Sequence, residues 1–234
     1  MTIVLFDIDG TLIRTGRAGS RAMDRAFEDL FGIPKAFDGI QMAGRTDKWI
    51  LEDAAARAGV TCVADASDSA LESMNALRDV GLRGIVYQES FGPDPRLAAE
   101  NFEKLKAKIV VLRERETDLV RCGVSPHAPY TVCAPQLELI SRFAIDEGLP
   151  LMMHAAETTM EASLMRDGLG PFAEGLRSRG IEWRAPGVSP IQYLKNHGVL
   201  QTKPLLAHCI NVDDTDIETI RQADTRIAHC PKSN

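Results

Sequence analysis

The stretch LPLMMHAAE, residues 149–157, decides the fold assignment. Its short apolar run has the length and character of a buried strand in a parallel sheet, and it leads directly into His154. Glu157 follows three residues later, so a single strand end presents an imidazole and a carboxylate together. A lone histidine after a strand is most often a structural residue, so the interpretation depends on whether the pattern recurs.

The pattern recurs at three other apolar runs. His127 closes VSPH, His208 closes LLAH and His229 closes RIAH. In a parallel α/β barrel these positions all lie at the face where active sites are built, so four of them predict a site. The fifth histidine, His197, precedes Gly198 at a predicted helix end, where we expect it only to interact with the helix dipole.

From Val60 onward, short apolar runs alternate with helical patterns, which is typical of βα units in a parallel sheet. Six such strands make up most, but not all, of an eight-stranded barrel. The predicted strands are 61–64, 84–87, 121–125, 149–153, 204–207 and 226–228, and the predicted helices between them are 95–116, 134–147, 190–196 and 214–222.

The residue types at these strand ends predict metal-assisted hydrolysis. Imidazoles are natural ligands of Zn²⁺ and Fe²⁺. Such an ion lowers the pKa of a bound water toward neutrality, and the water needs a carboxylate that takes and returns its proton. Glu157, beside His154, is the candidate for that carboxylate.

Four motifs carry a specific resemblance. GVSPHAPYTV, MMHAAET, LLAHC and HCPKSN, in this order, resemble the aminohydrolase and chlorohydrolase branch of the amidohydrolase superfamily, over residues 60–234. The resemblance implies a (β/α)8 barrel that binds Zn or Fe, with Mn as an alternative, and that deaminates a small heterocyclic substrate or hydrolyses its C–N or C–Cl bond. It implies metal ligands at His154 and His208, a general acid/base at Glu157, a substrate contact at His127, and positions near the substrate for His229 and Asn234.

The sequence also departs from that branch. The family's first strand carries an HxH pair that binds the metal, and no HxH occurs here. Its eighth strand carries a metal-binding Asp, and this sequence stops at Asn234, before that strand. We therefore expect an α/β fold in the form of a partial barrel that lacks its own first and last strands, with impaired activity. An open barrel exposes strand edges, so we expect marginal stability or a homo-oligomer that covers the gap.

Residues 1–59 carry a different signal. FDIDGTL, residues 6–12, resembles the first motif of haloacid dehalogenase (HAD) phosphatases. That resemblance implies a nucleophile at Asp7, a general acid/base at Asp9 and a Mg²⁺ ion, while AGRTDKWIL around Asp47 resembles the cap of such enzymes. Helices are predicted over 18–31 and 47–58. The predicted organisation is thus a chimera, with a HAD-like fragment over 1–59 and an amidohydrolase-like fragment over 60–234.

Three alternatives follow from this head segment. The first is a HAD-type phosphatase, which also requires a Ser or Thr, a Lys and an acidic pair that we do not find in a fitting context. In the second, the strand TIVLFDID fills the place of barrel strand one, so that Asp7 and Asp9 join His154 and His208 in a set that favours Mn²⁺, Fe²⁺ or Zn²⁺ over Mg²⁺. The third is a chimeric or truncated product without catalytic activity.

Composition narrows the range of partners. The net charge is −6 and the pI about 5.4, which argues against nucleic acid or an anionic membrane surface as the main partner. There is no apolar run long enough for a membrane span and no secretory signal pattern at the N-terminus, so no membrane partner is expected. The five cysteines form no CxxC pair, and we expect reduced thiols in a cytoplasmic protein.

Overall fold

The structure is a computed structural model that describes residues 4–6 and 61–230. Helices and parallel strands alternate through the described part, which confirms the predicted α/β class. The strands are β1 (Val4–Phe6), β2 (Cys62–Ser67), β3 (Arg83–Ser90), β4 (Val120–Pro126), β5 (Met152–Ala155), β6 (Leu205–His208) and β7 (Arg226–Ala228). The helices are α1 (Ala70–Val80), α2 (Ala98–Arg113), α3 (Ala134–Asp146), α4 (Thr159–Asp167), α5 (Pro171–Ser178), α6 (Pro190–Asn196) and α7 (Asp214–Gln222), with 3-10 turns at Pro95–Leu97 and Val199–Thr202.

The strands form two parallel sets in chain order, β1-β2-β3-β4 and β5-β6-β7. Within the second set, His154 lies opposite Ala207 and Ala155 lies opposite His208. An isolated parallel bridge pairs Val124 of β4 with Leu151, just before β5. Since parallel strands all end at the same edge, the residues that close β4, β5 and β6 are brought side by side.

The described residues divide into two compact units. In the first, which includes 4–6, 61–88 and 110–122, helix α1 buries Met74 and Leu77 and ends at Gly81, whose φ of 71° suits a left-handed cap. A Cβ at Gly84 in β3 would lie 2.7 Å from the Val63 carbonyl oxygen and 2.8 Å from Leu77 Cδ1. Glycine is therefore required where β3 runs closest to β2 and α1.

The second unit includes residues 89–109 and 123–230. Its core is apolar and fully buried, because each helix turns one stripe of side chains inward. Asp213 is the N-cap of helix α7, and its carboxylate accepts the backbone N–H of Asp216 in a reciprocal capping box. The core residues include Leu137 and Ile140 of α3, Met153 of β5, Leu164 and Met165 of α4, and Leu176 of α5.

The segment before β2 bears on the strand-one alternative. Strand β1 pairs in parallel with β2, with Val4 opposite Val63 and Phe6 opposite Asp65. The alternative in which TIVLFDID fills the place of barrel strand one requires this pairing of β1 with β2. However, Asp7, Asp9 and the helices predicted over 18–31 and 47–58 lie outside the described residues, so the HAD-like fragment and the proposed ligand role of its aspartates stay predictions.

Among the described helices, none is both long and apolar enough to cross a membrane. All five cysteines lie in the described part, and none of them forms a disulfide there.

Candidate active site

Three of the four strand-end histidines lie in a row. His127 directly follows β4, His154 lies in β5, and His208 is the last residue of β6. The ring centroids of His127 and His154 are 4.9 Å apart, and those of His154 and His208 are 5.5 Å apart. The imidazoles of His154 and His208 are buried, and that of His127 is half-buried. The structure thus brings together the two predicted metal ligands and the predicted substrate contact.

Backbone hydrogen bonds between neighbouring strand ends hold this row in register. The His127 N–H donates to the Ser90 carbonyl oxygen at 3.2 Å, and the His154 N–H donates to the His127 carbonyl oxygen at 2.9 Å. On the other side, the Cys209 N–H donates to the Ala155 carbonyl oxygen at 3.0 Å. The backbone at or next to each imidazole is therefore held by a hydrogen bond to the end of a neighbouring strand.

Glu157 faces the same row. Its Oε1 lies 3.6 Å from Nε2 of His208, which is ion-pair distance and slightly beyond a hydrogen bond. Its backbone is held at both ends, because its carbonyl oxygen accepts from Asn211 Nδ2 at 2.8 Å and its N–H donates to Glu161 Oε2 at 2.9 Å. The side chain is 27% exposed, so the carboxylate can reach both His208 and solvent.

Glu161 is a buried carboxyl that sequence reasoning missed. It is fully buried and accepts the N–H groups of Ala156 and Glu157, each at 2.9 Å. Burial raises the pKa of Glu161 to about 7; the nearby Glu157 charge acts in the same direction, and the backbone hydrogen bonds oppose it. The available signal was the T-x-x-E pattern of residues 158–161, since Thr158 caps α4 by accepting the Glu161 N–H.

A second missed carboxylate is Glu89, near the end of β3. The sequence predicted a strand over 84–87, whereas β3 continues to Ser90 and buries Gln88, Glu89 and Ser90. One donor atom from each of Glu89, His127 and His154 lies within 4.8 Å of the other two. This is a set of oxygen and nitrogen donors suited to a divalent metal.

The backbone around the row is unusual. Ala156, His208 and Cys209 have φ values of 52°, 72° and 51°, in the left-handed region that few residues other than glycine adopt. Such conformations gather at functional sites, where the surrounding structure holds them in place. Burial also raises the pKa of the Cys209 thiol to about 12, so the thiol is neutral near pH 7.

Aromatic side chains line the His127 side of the row. The Phe91 ring centroid lies 4.7 Å from that of His127, and Tyr130 lies edge-on to His127 at 6.3 Å. Tyr130 stacks on Phe172 with centroids 4.3 Å apart. Phe91 is 40% exposed, so an apolar, aromatic surface remains accessible beside the imidazole.

Of the other predicted site residues, only His229 belongs to the described part of the chain. His229 follows β7 and is exposed, and Asn234 lies outside the described residues. His197 closes α6, as predicted for a helix-end residue, and its Nδ1 is 2.8 Å from Glu138 Oε1.

Comparison with known families identifies the chain. The profile of the amidohydrolase family matches residues 52–234. The chain belongs to the amidohydrolase family. This membership confirms the coarse assignment that the four motifs implied, and the match begins eight residues before the predicted junction at Val60.

The amidohydrolase relatives include deaminases. The chain is 35% identical to the aminodeoxyfutalosine deaminase of Deinococcus radiodurans over 162 residues, which cover 65% of this chain and 39% of that protein. It is 29% identical to the 5-methylthioadenosine/S-adenosylhomocysteine deaminase of Natronomonas pharaonis over 232 residues, which cover 96% of this chain and 48% of that protein. The second alignment takes in most of residues 1–59, and the chain spans less than half the length of either relative.

Solved structures share the fold of this amidohydrolase chain. The aminofutalosine deaminase of Helicobacter pylori matches with a TM-score of 0.68 at 18% identity, over 84% of this chain and 47% of that one. The zinc complex of atrazine chlorohydrolase from Arthrobacter aurescens matches with a TM-score of 0.59 at 18% identity, over 90% of this chain and 47% of that one.

Proposed function

We propose that this chain carries part of the active site of a metal-dependent deaminase that removes the exocyclic amino group of an adenine-type nucleoside. The observation that carries the proposal is the row of His127, His154 and His208 with Glu157 only 3.6 Å from His208. The deaminases among the relatives favour deamination over the alternative hydrolysis of another C–N or C–Cl bond.

The donor set fits a transition metal. His154 Nδ1 lies 3.1 Å from the His127 carbonyl oxygen, which can only accept, so this nitrogen carries a hydrogen and the bond fixes the orientation of the ring. His154 and His208 would hold the ion, which suits Zn²⁺ or Fe²⁺. When bound, such an ion supplies the Lewis acidity that makes water a nucleophile near neutral pH.

The chain's own residues account for the proton transfers. Glu157 is held by its backbone, and its carboxylate can accept the proton of the attacking water and return it to the departing amine. The reaction then releases ammonia and leaves a carbonyl on the heterocycle. Phe91 and Tyr130 lie beside His127 and would offer a stacking surface for a planar base, whose edge His127 would contact.

The test is ammonia release from 5'-deoxyadenosine and 5-methylthioadenosine by the chain loaded with Zn²⁺, Fe²⁺ or Mn²⁺. We expect release that Glu157→Gln abolishes, because the amide cannot carry the proton. Glu182→Gln, at an exposed glutamate, is the matched control and should leave the rate unchanged. Absence of ammonia from both substrates with every metal, or equal rates in Glu157→Gln and the parent, would refute the proposal.

A further inference from the structure

The backbone turn that carries Glu157 is held by a buried carboxylate from the helix that follows it. Glu161, in the first turn of α4, is fully buried. Its Oε1 accepts the N–H of Ala156 and its Oε2 accepts the N–H of Glu157, each at 2.9 Å. Because each carboxylate oxygen meets a different amide, the two peptide groups are fixed in both position and orientation.

The shape of the turn makes this double contact possible. Ala156 has a φ of 52°, in the left-handed region that an alanine seldom adopts. Successive N–H groups around such a residue converge on one point and form a concavity that binds an anion. The Glu161 carboxylate occupies this concavity. Its two hydrogen bonds therefore help to hold a backbone conformation that is unfavourable by itself.

Glu161 is itself fixed at the start of α4. Its N–H donates to Thr158 Oγ1 at 3.2 Å, which is the N-cap hydrogen bond of the helix. The side chain therefore extends from a backbone position that the cap determines, and it reaches back to the two residues directly before Thr158. The start of α4 and the turn are thus joined into one rigid piece.

The carbonyl groups of the same turn are held by a second segment, which directly follows β6. The Ala156 carbonyl oxygen accepts the N–H of Ile210 at 3.0 Å and the N–H of Asn211 at 2.8 Å. The Glu157 carbonyl oxygen accepts Asn211 Nδ2 at 2.8 Å. Since α4 holds the N–H groups and the segment after β6 holds the carbonyl groups, the freedom left to Glu157 is mainly rotation of its own side chain.

From these contacts we propose that Glu161 is the positioning residue of Glu157, because its carboxylate fixes the turn from which the Glu157 side chain faces His208. The inference rests on the proposed function for the role of Glu157. A general base must lie within hydrogen-bond reach of the proton that it takes, and a misplacement of about 1 Å can lower the rate by about a hundredfold. Glu157 Oε1 lies 3.6 Å from His208 Nε2, so a movement of the turn would change its place in the row.

The test compares Glu161→Met and Glu161→Gln with the parent chain, each loaded with Zn²⁺ and supplied with 5'-deoxyadenosine and 5-methylthioadenosine. Methionine keeps the side chain's length but accepts from neither amide, whereas glutamine keeps one acceptor oxygen. We expect kcat to fall at least about tenfold in Glu161→Met and by less in Glu161→Gln, with KM within about twofold of the parent value. Rates are expressed per bound Zn²⁺, so that a loss of folded chain does not count as a loss of kcat.

Amide hydrogen exchange in the metal-free chain gives a second readout, which needs no catalysis. The N–H groups of Ala156 and Glu157 should exchange at least about tenfold faster in Glu161→Met than in the parent. The N–H of Tyr193, which donates to the Ser189 carbonyl oxygen at 2.9 Å, should exchange at the parent rate. Faster exchange at Tyr193 as well would report a general loss of stability in place of a local effect on the turn, and would contradict the inference.

Glu116 provides a matched control. Its Oε1 accepts the backbone N–H of Cys122 at 2.8 Å, in the first compact unit. Glu116→Met thus removes a carboxylate that holds a backbone amide, as Glu161→Met does, but at a position away from the turn in the sequence. We expect kcat and the exchange rates of Ala156 and Glu157 to stay at the parent values in this variant.

The outcomes separate this inference from the proposed function. Unchanged exchange at Ala156 and Glu157 in Glu161→Met would overturn the inference, and so would faster exchange with kcat still within about twofold of an active parent. A raised KM with an unchanged kcat would also overturn it, because Glu161 would then act on substrate binding. If the parent releases no ammonia while the two amides still exchange faster in Glu161→Met, the proposed function is refuted and Glu161 remains the residue that fixes the turn.

Discussion

Glu161→Gln should change how the stability of the chain depends on pH. Burial raises the pKa of Glu161 from 4.5 to about 7, so the folded state holds this proton where the unfolded state has released it. The stabilisation is complete below about pH 4.5 and is lost as pH rises through about 7. At 1.36 kcal/mol per unit, the free energy of unfolding falls by about 3 kcal/mol across this window because of Glu161 alone.

The measurement is urea denaturation at several values between about pH 5 and about pH 8, with chelator present so that metal binding does not contribute. A glutamine resembles the protonated carboxyl and does not titrate. The stability of Glu161→Gln relative to the parent should therefore improve by about 2 to 3 kcal/mol from the lowest to the highest pH. Glu182→Gln, at an exposed position, should follow the parent throughout. Parallel curves for Glu161→Gln and the parent would refute the argument that burial holds the proton on Glu161.

Three other predictions can be tested by standard assays. In Gly92→Ala, at a φ of 157°, the new Cβ would collide with the side chains of Gln136 and Asn101. We therefore expect the free energy of unfolding to fall by about 2 to 4 kcal/mol. A loss below about 0.5 kcal/mol in urea denaturation would contradict this expectation. Asp213→Ala removes the N-cap of α7 and should cost about 1 kcal/mol in the same assay, whereas no change would mean that the cap is replaced by water. We expect no aryl phosphatase activity with Mg²⁺, and a rate that Asp7→Asn abolishes would instead support the HAD-type alternative.

Local sequence patterns predicted the helices that begin at recognisable capping residues. The helix over 190–196 begins at Ser189 and Pro190, the helix over 214–222 begins at the Asp213 capping box, and both have the predicted bounds. By contrast, α1, α4 and α5 were not predicted. Helix α1 follows β2 with no side-chain N-cap hydrogen bond, and α4 begins directly after the motif MMHAAET, which was interpreted only for its chemistry.

Some residues of the candidate site could likewise be predicted from local sequence patterns, and others could not. Histidines after apolar runs were enough to place His127, His154 and His208 at neighbouring strand ends, because parallel strands end at a common edge. Glu89 was missed because the polar residues at 88–90 suggested that the strand had ended, whereas β3 continues to Ser90 and these three residues are buried. The orientation of the His154 ring depends on a hydrogen bond to the His127 carbonyl oxygen, which lies on a separate segment and is not encoded by a local pattern.

The backbone hydrogen bonds between strand ends have a consequence for the timing of ligand exchange. The amides of His127 and His154 are the donors of those bonds, so the hydrogens that would exchange with solvent sit on the same residues as the imidazoles. Separation of these strand ends would free an amide and displace a ring in one event. The rate of amide hydrogen exchange at these two positions therefore reports the lifetime of the assembled site, and it can be measured without substrate and without turnover.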